Sequence, residues 1–161
     1  MHDPDRREAS SDRTADQRAV QCAARMYAAD RASRHLGIDI TDVAPGRARA
    51  TMTVADTMVN GHGLCHGGYL FLLADTAFAF ACNTYDQVTV AAAGDVVFVR
   101  SALAGQRLVA DAVERLRHGR SGIYDVTVTN DDGEVVAEFR GRSRTTGRSI
   151  LDDADTAVTD V

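Results

Sequence analysis

The sequence predicts a single α+β domain, an antiparallel sheet wrapped around a long central helix. Three observations carry that expectation. Tyr69 to Cys82 (YLFLLADTAFAFAC) is apolar nearly all round and holds one charged residue, Asp75. Four extended stretches follow it, at about 88–99, 107–117, 122–130 and 134–146, separated by loops containing Gly105, Gly119 and Asp131-Asp132-Gly133. Two shorter alternating stretches precede it. A helix without a polar face has to be enclosed by the rest of the fold. Antiparallel strands joined by glycine turns supply the enclosing surface.

The elements follow in order. Ala15 to Leu36 is rich in alanine and arginine, with Val20, Ala24, Tyr27 and Ala28 at helical spacing, and reads as an amphipathic helix. Gly37 to Val43 alternates apolar and polar residues, as a half-buried strand does. Pro45-Gly46 marks a turn, and Arg47 to Val54 alternates again and returns antiparallel. Residues 55–66 are a loop containing Asn60-Gly61-His62-Gly63. Asn83-Thr84 ends the apolar helix, and the four late strands read as one meander. Arg140, Arg142 and Arg144 share one face at period two, a solvent-facing side of the sheet. The domain is expected to span 16–147, between a disordered polar tail at 1–15 and an acidic tail at 148–161 with Asp152, Asp153, Asp155 and Asp160.

Composition narrows the function. A chain of 161 residues with net charge −5 has no broad cationic surface, so non-specific nucleic-acid binding is not its main activity. No apolar run reaches the ~18 residues of a membrane helix, and the N-terminus lacks the apolar core of a secretory signal. A cytoplasmic location is expected. Cys22, Cys65 and Cys82 cannot all pair within one chain and read as reduced thiols. All 18 basic residues are arginine, which excludes a lysine base or Schiff base. There is no Gly-x-Ser-x-Gly elbow, no GxGxxG and no phosphate-binding Walker sequence. His62, Cys65 and His66 lack a fourth ligand, so no metal is expected.

The informative segment is Asn60 to Cys82. Gly67-Gly68 sits where the apolar helix begins. It is either a plain turn or a place where unpaired helix N–H groups meet a developing oxyanion. Asp75 is either a hydrogen-bonded structural group or a carboxylate facing a cleft, with Thr76 beside it as a possible donor. Burial would raise its pKa toward general-base work. Gly67 and Asp75 lie about 12 Å apart along one helix, too far to touch one carbonyl. Two copies with antiparallel helices would bring Asp75 of one to Gly67 of the other. Asn60 can bind a carbonyl or position water, and His66 can orient the turn, donate a hydrogen bond or act as an acid. Arg115, Arg117, His118, Gly119, Arg120, Ser121 and Gly122 form a basic hairpin turn, either an ordinary solvated turn or a phosphate site, with Arg100 as a further cation.

Asn60-Gly61-His62, Cys65-His66-Gly67-Gly68 and Leu73-Ala74-Asp75-Thr76-Ala77-Phe78-Ala79 together resemble the hotdog-fold thioesterases of the phenylacetate-degradation (PaaI) type. The resemblance covers about 20–147 and includes Leu36-Gly37-Ile38, Phe98-Val99-Arg100, Gly122-Ile123-Tyr124-Asp125 and Phe139-Arg140-Gly141. It implies hydrolysis of acyl-CoA thioesters, of the aryl-acetyl (phenylacetyl) class. No cofactor is implied, because coenzyme A is part of the substrate. A homodimer is implied, with two dimers pairing into a homotetramer. It implies Asp75 as the catalytic carboxylate, lent with Thr76 by the other protomer. Gly67 supplies the N–H for the thioester oxygen, and Asn60 and His66 line that end. The substrate is expected along Gly68, with its adenosine and phosphates near Arg100, Arg117, Arg120, Ser121 and Gly122. The chain departs from the family where Val97 precedes Phe98 and Ser101 follows Arg100. Two other readings are a hotdog hydratase or dehydratase on β-hydroxyacyl thioesters, and a non-catalytic acyl-CoA-binding module.

Overall fold

Asp30 divides the N-terminal helix. Its carboxylate accepts the Ser33 N–H at 2.9 Å and the Ser33 hydroxyl at 2.6 Å, capping a new short helix. The computed structural model describes the backbone of residues 5–152 and side chains from Thr14 onward. Its helices are α1 (Asp5–Ala29), α2 (Arg31–His35) and α3 (Gly67–Cys82). Its strands are β1 (Asp39–Ala44), β2 (Arg47–Thr53), β3 (Thr89–Phe98), β4 (Arg107–His118), β5 (Ser121–Thr129) and β6 (Val135–Thr145). A single 3-10 turn, Asp56–Met58, lies between β2 and α3. Among the described residues no helix is long and apolar enough to cross a membrane.

The six strands form one antiparallel sheet in the order β1-β2-β4-β5-β6-β3, with α3 on its inner face. This is the hotdog arrangement that the resemblance implies. Inward residues alternate along the middle strands: Ala48, Ala50 and Met52 on β2, Leu108, Ala110 and Ala112 on β4, Val126 and Val128 on β5. Alanine is a poor strand former. Here the alanines of β2 and β4 lie on the side α3 packs against, and their small side chains let it seat closely. Phe78 of α3 is fully buried, its ring 5.6 Å from Tyr124 and 5.8 Å from Phe139 by centroids. A Cβ on Gly141 would stand 2.7 Å from that ring, so β6 needs a residue without a side chain there. Phe78→Ala should cost about 3–5 kcal/mol, read as a lower urea midpoint at unchanged slope.

Three expectations are corrected. The late strands are not one meander: β4-β5-β6 is, but β3 pairs only with β6 at the far edge. The cause is α3, whose 16 residues carry the chain about 24 Å across the sheet before β3 begins. The first helix starts at Asp5, inside the stretch expected to be a tail. The fold also runs past 147. Asp86, at φ 57°, accepts the Ser149 hydroxyl and the Ile150 and Leu151 N–H groups, each at 2.9 Å. Ile150 is buried. The rest of the two expected tails, 1–4 and 153–161, lies outside the described residues. The arginine face of β6 is solvent-facing as expected, with Arg140 paired to Asp125 and Arg142 to Asp95.

Candidate active site

The loop before α3 is tied down on both sides. Cys65 N–H donates to Ala102 O and His66 N–H to Met58 O, both at 2.8 Å. Asn60 Oδ1 accepts the N–H of His62 at 2.9 Å and of Leu64 at 3.2 Å. Its oxygen therefore shapes the loop. Among the described residues its Nδ2 meets no acceptor and is free to donate.

His66 is the N-cap of α3. Its Nδ1 accepts the Gly68 N–H at 2.9 Å. An accepting Nδ1 carries no proton, so the proton of the neutral ring sits on Nε2. Gly68 spends its N–H on this cap. Gly67 keeps its own: no acceptor among the described residues meets it. A single uncommitted N–H thus stands at the positive end of a helix. His66→Ala should remove the cap and lower stability by about 1 kcal/mol, with His66→Asn recovering most of it, read from melting temperatures. Gly67 has a second constraint, since the Phe98 ring lies 2.8 Å from where its Cβ would be.

Asp75 is half-buried, and no donor among the described residues reaches its carboxylate. Burial pushes its pKa up, with no partner opposing the shift. It shares one face of α3 with Gly68, Phe71, Leu72 and Ala79, none of them fully buried. The expectation that α3 is enclosed on every side is corrected here. A single sheet covers only one side of a helix, and this face stays half-open in one chain.

Thr76 does not join Asp75. It is buried, with Oγ1 3.5 Å from Ser33 Oγ on the α2 side. Consecutive helical residues point about 100° apart, so adjacency in sequence separates these two. The cationic residues also divide. Arg100 follows β3, with Nε 3.5 Å from Glu134, at the Gly67 end. The hairpin of Arg117, Arg120, Ser121 and Gly122 closes the other end of β4, whose 12 residues span about 36 Å. There the Arg117 guanidinium lies 3.6 Å from the Tyr85 ring centroid, and Arg120 Nε donates to Thr145 O at 3.0 Å. Gly122 is buried, and a Cβ there would stand 2.7 Å from Ser143 Oγ. Within one chain Arg100 and this hairpin cannot hold the same phosphate.

All three cysteines are free and buried. Burial raises each thiol, Cys82 to about 12. None is a ready thiolate nucleophile. Sequence reasoning missed the contact of Phe98 with Gly67. Its signal was four apolar residues in a row, Val96 to Val99, at the end of a strand where alternation should have placed polar ones.

The thioesterase superfamily model matches residues 62–137. The acyl-coenzyme A thioesterase PaaI of Escherichia coli K12 is 44% identical over 137 residues, covering 85% of this chain and 98% of the relative. The chain belongs to the thioesterase superfamily. The solved structure of the E. coli PaaI protein, from the phenylacetic acid degradation operon, superposes on this thioesterase chain with a TM-score of 0.82, covering 83% of this chain and 97% of that one. A Streptococcus mutans UA159 protein solved with acetyl-CoA has a TM-score of 0.67 at 26% identity, covering 70% and 90% of the two chains. The fold of this superfamily member is therefore the hotdog fold.

Proposed function

We propose that this protein is an acyl-CoA thioesterase that hydrolyses aryl-acetyl thioesters of the phenylacetyl type to the free acid and CoA. The observation that carries it is the uncommitted Gly67 N–H at the start of α3, combined with an unpartnered Asp75 further along on the half-open face of that helix. The Gly67 N–H polarises the thioester carbonyl and takes its oxygen as negative charge develops. Asn60 Nδ2 and His66 Nε2–H are further donors at that end. Asp75 reaches the carbonyl from a second copy. The phenylacetyl class rests on the operon of the E. coli relative.

The dimer is part of the proposal. Among the described residues β3 pairs on one side only, Ala91 to Asp95 are exposed on both faces, and Val97 and Val99 add apolar surface beside them. An edge of this kind is a template for pairing with another chain. A two-fold axis that sets Asp75 opposite the partner's Gly67 passes near residue 71. It carries the Tyr85–Arg117 end of one copy toward the Arg100 end of the other, where phosphate contacts from both can meet. Two such dimers pair into a tetramer. Unpaired cysteines and a CoA thioester substrate fit a cytoplasmic enzyme.

Hydrolysis breaks the C–S bond, adds water oxygen to the acyl carbon and returns a proton to the CoA sulfur. Asp75 either takes a proton from water or attacks to form a mixed anhydride. Single turnover in ¹⁸O-water separates these, since label in Asp75 marks the anhydride. The reading itself is tested with phenylacetyl-, hydroxyphenylacetyl-, benzoyl- and medium-chain acyl-CoAs, following free thiol against enoyl hydration. Thiol release fastest with an arylacetyl-CoA supports it. Hydration without thiol, or tight binding without turnover, overturns it.

A further inference from the structure

We propose that Phe98 is the residue that selects the acyl group, a proposal that rests on the thioesterase reading above. Phe98 is the last paired residue of β3, opposite Ala137. The next two N–H groups, of Val99 and Arg100, both donate to Val136 O, at 2.8 and 3.1 Å. The strand therefore delivers its ring from a backbone anchored to β6 at Phe98 and at the two residues after it. Three ring carbons lie 2.8, 3.2 and 3.3 Å from the point a Gly67 Cβ would occupy. The residue is nonetheless 53% exposed. One side of the ring touches the residue whose N–H is uncommitted, and about half of the residue stays open.

Carbonyl geometry turns that placement into selectivity. A thioester oxygen accepting the Gly67 N–H holds its carbon about 4 Å from that nitrogen. The two substituents of the carbon then fall within reach of the Phe98 ring. One is the sulfur arm, which leads to the amides of pantetheine. The other is the acyl group. A bare aromatic ring satisfies no amide, and burying one against it is costly. The apolar acyl group is the substituent it suits, and an aryl group gains edge or offset ring contact as well. Phe71 continues the apolar surface on the open face of α3, packed edge-on against Phe139 at 5.3 Å.

The test compares Phe98→Ala and Phe98→Leu in the full-length protein, using phenylacetyl-CoA and acetyl-CoA and following released thiol. Pocket contacts of this size discriminate by tenfold or more. In Phe98→Ala, kcat/KM for phenylacetyl-CoA should fall about tenfold further than for acetyl-CoA, with Phe98→Leu between. Sedimentation of both variants reports assembly, and the leucine variant keeps the test alive if the alanine variant does not fold. An equal fall for both substrates, or an unchanged ratio, overturns the proposal while leaving the thioesterase reading in place. A wild-type protein that releases no thiol from any acyl-CoA overturns both.

Discussion

Asp75→Asn is expected to lower kcat by about 10²–10⁴, the span of a positioned acid–base group, while raising the melting temperature at neutral pH. Both effects come from one cause. The carboxylate is half-buried with no donor among the described residues, and its pKa is raised by burial. The native state therefore binds the proton more tightly than the unfolded chain. Stability is fully present below the ordinary aspartate value of about 3.9 and is lost as pH rises through the elevated native pKa. Asparagine removes that cost, so the gap in melting temperature should open with rising pH and close in acid. Wild-type turnover should move the opposite way, falling as pH drops through a midpoint above the ordinary value. A near-native rate in a folded Asp75→Asn protein would remove Asp75 from the chemistry. A lower melting temperature at neutral pH would reveal a stabilising partner.

Mixing two inactive variants should restore activity. Asp75→Ala removes the carboxylate. Gly67→Pro removes the N–H from the first helical position, where proline is well tolerated. His66 already has φ −61° and ψ 133°, the extended backbone that a following proline requires. The Phe98 ring end has to shift to admit the new Cβ. If each site takes Gly67 from one copy and Asp75 from the other, a mixed dimer holds one intact site and one lacking both groups. Random exchange makes half of the dimers mixed, so about one quarter of wild-type activity returns. Unfolding and refolding the two together, then assaying thiol release, measures it. No recovery, with mixed dimers demonstrated by mass, would place each site within one chain.

Much of the fold was legible because its signals are local. Tyr69 to Cys82 lacks a polar face, and β1, β2, β4, β5 and β6 announce themselves by alternation and by turns at Pro45-Gly46, Gly119 and Asp131-Asp132-Gly133. Pairing order was not legible. Nothing in residues 89–98 says which strand they join, since Ala91 to Asp95 carry no inward-facing pattern at an edge. The candidate site divides in the same way. Gly67 and His66 were legible through their position at a helix start, and Asp75 through its isolation in an apolar run. Thr76 misled because neighbours in sequence are not neighbours on a helix, and its hydroxyl turns toward Ser33. Arg100 and the 117–122 hairpin look alike in charge, yet β4 holds them at opposite ends.

The buried state of Cys22, Cys65 and Cys82 has a practical side. A dye such as a chromogenic disulfide attacks thiolates, and sulfurs sealed in the interior are slow to colour it. Coenzyme A set free in the bulk solvent is the sulfur such a reagent meets first. The enzyme can therefore be followed continuously by absorbance, against a blank that its own chain scarcely disturbs.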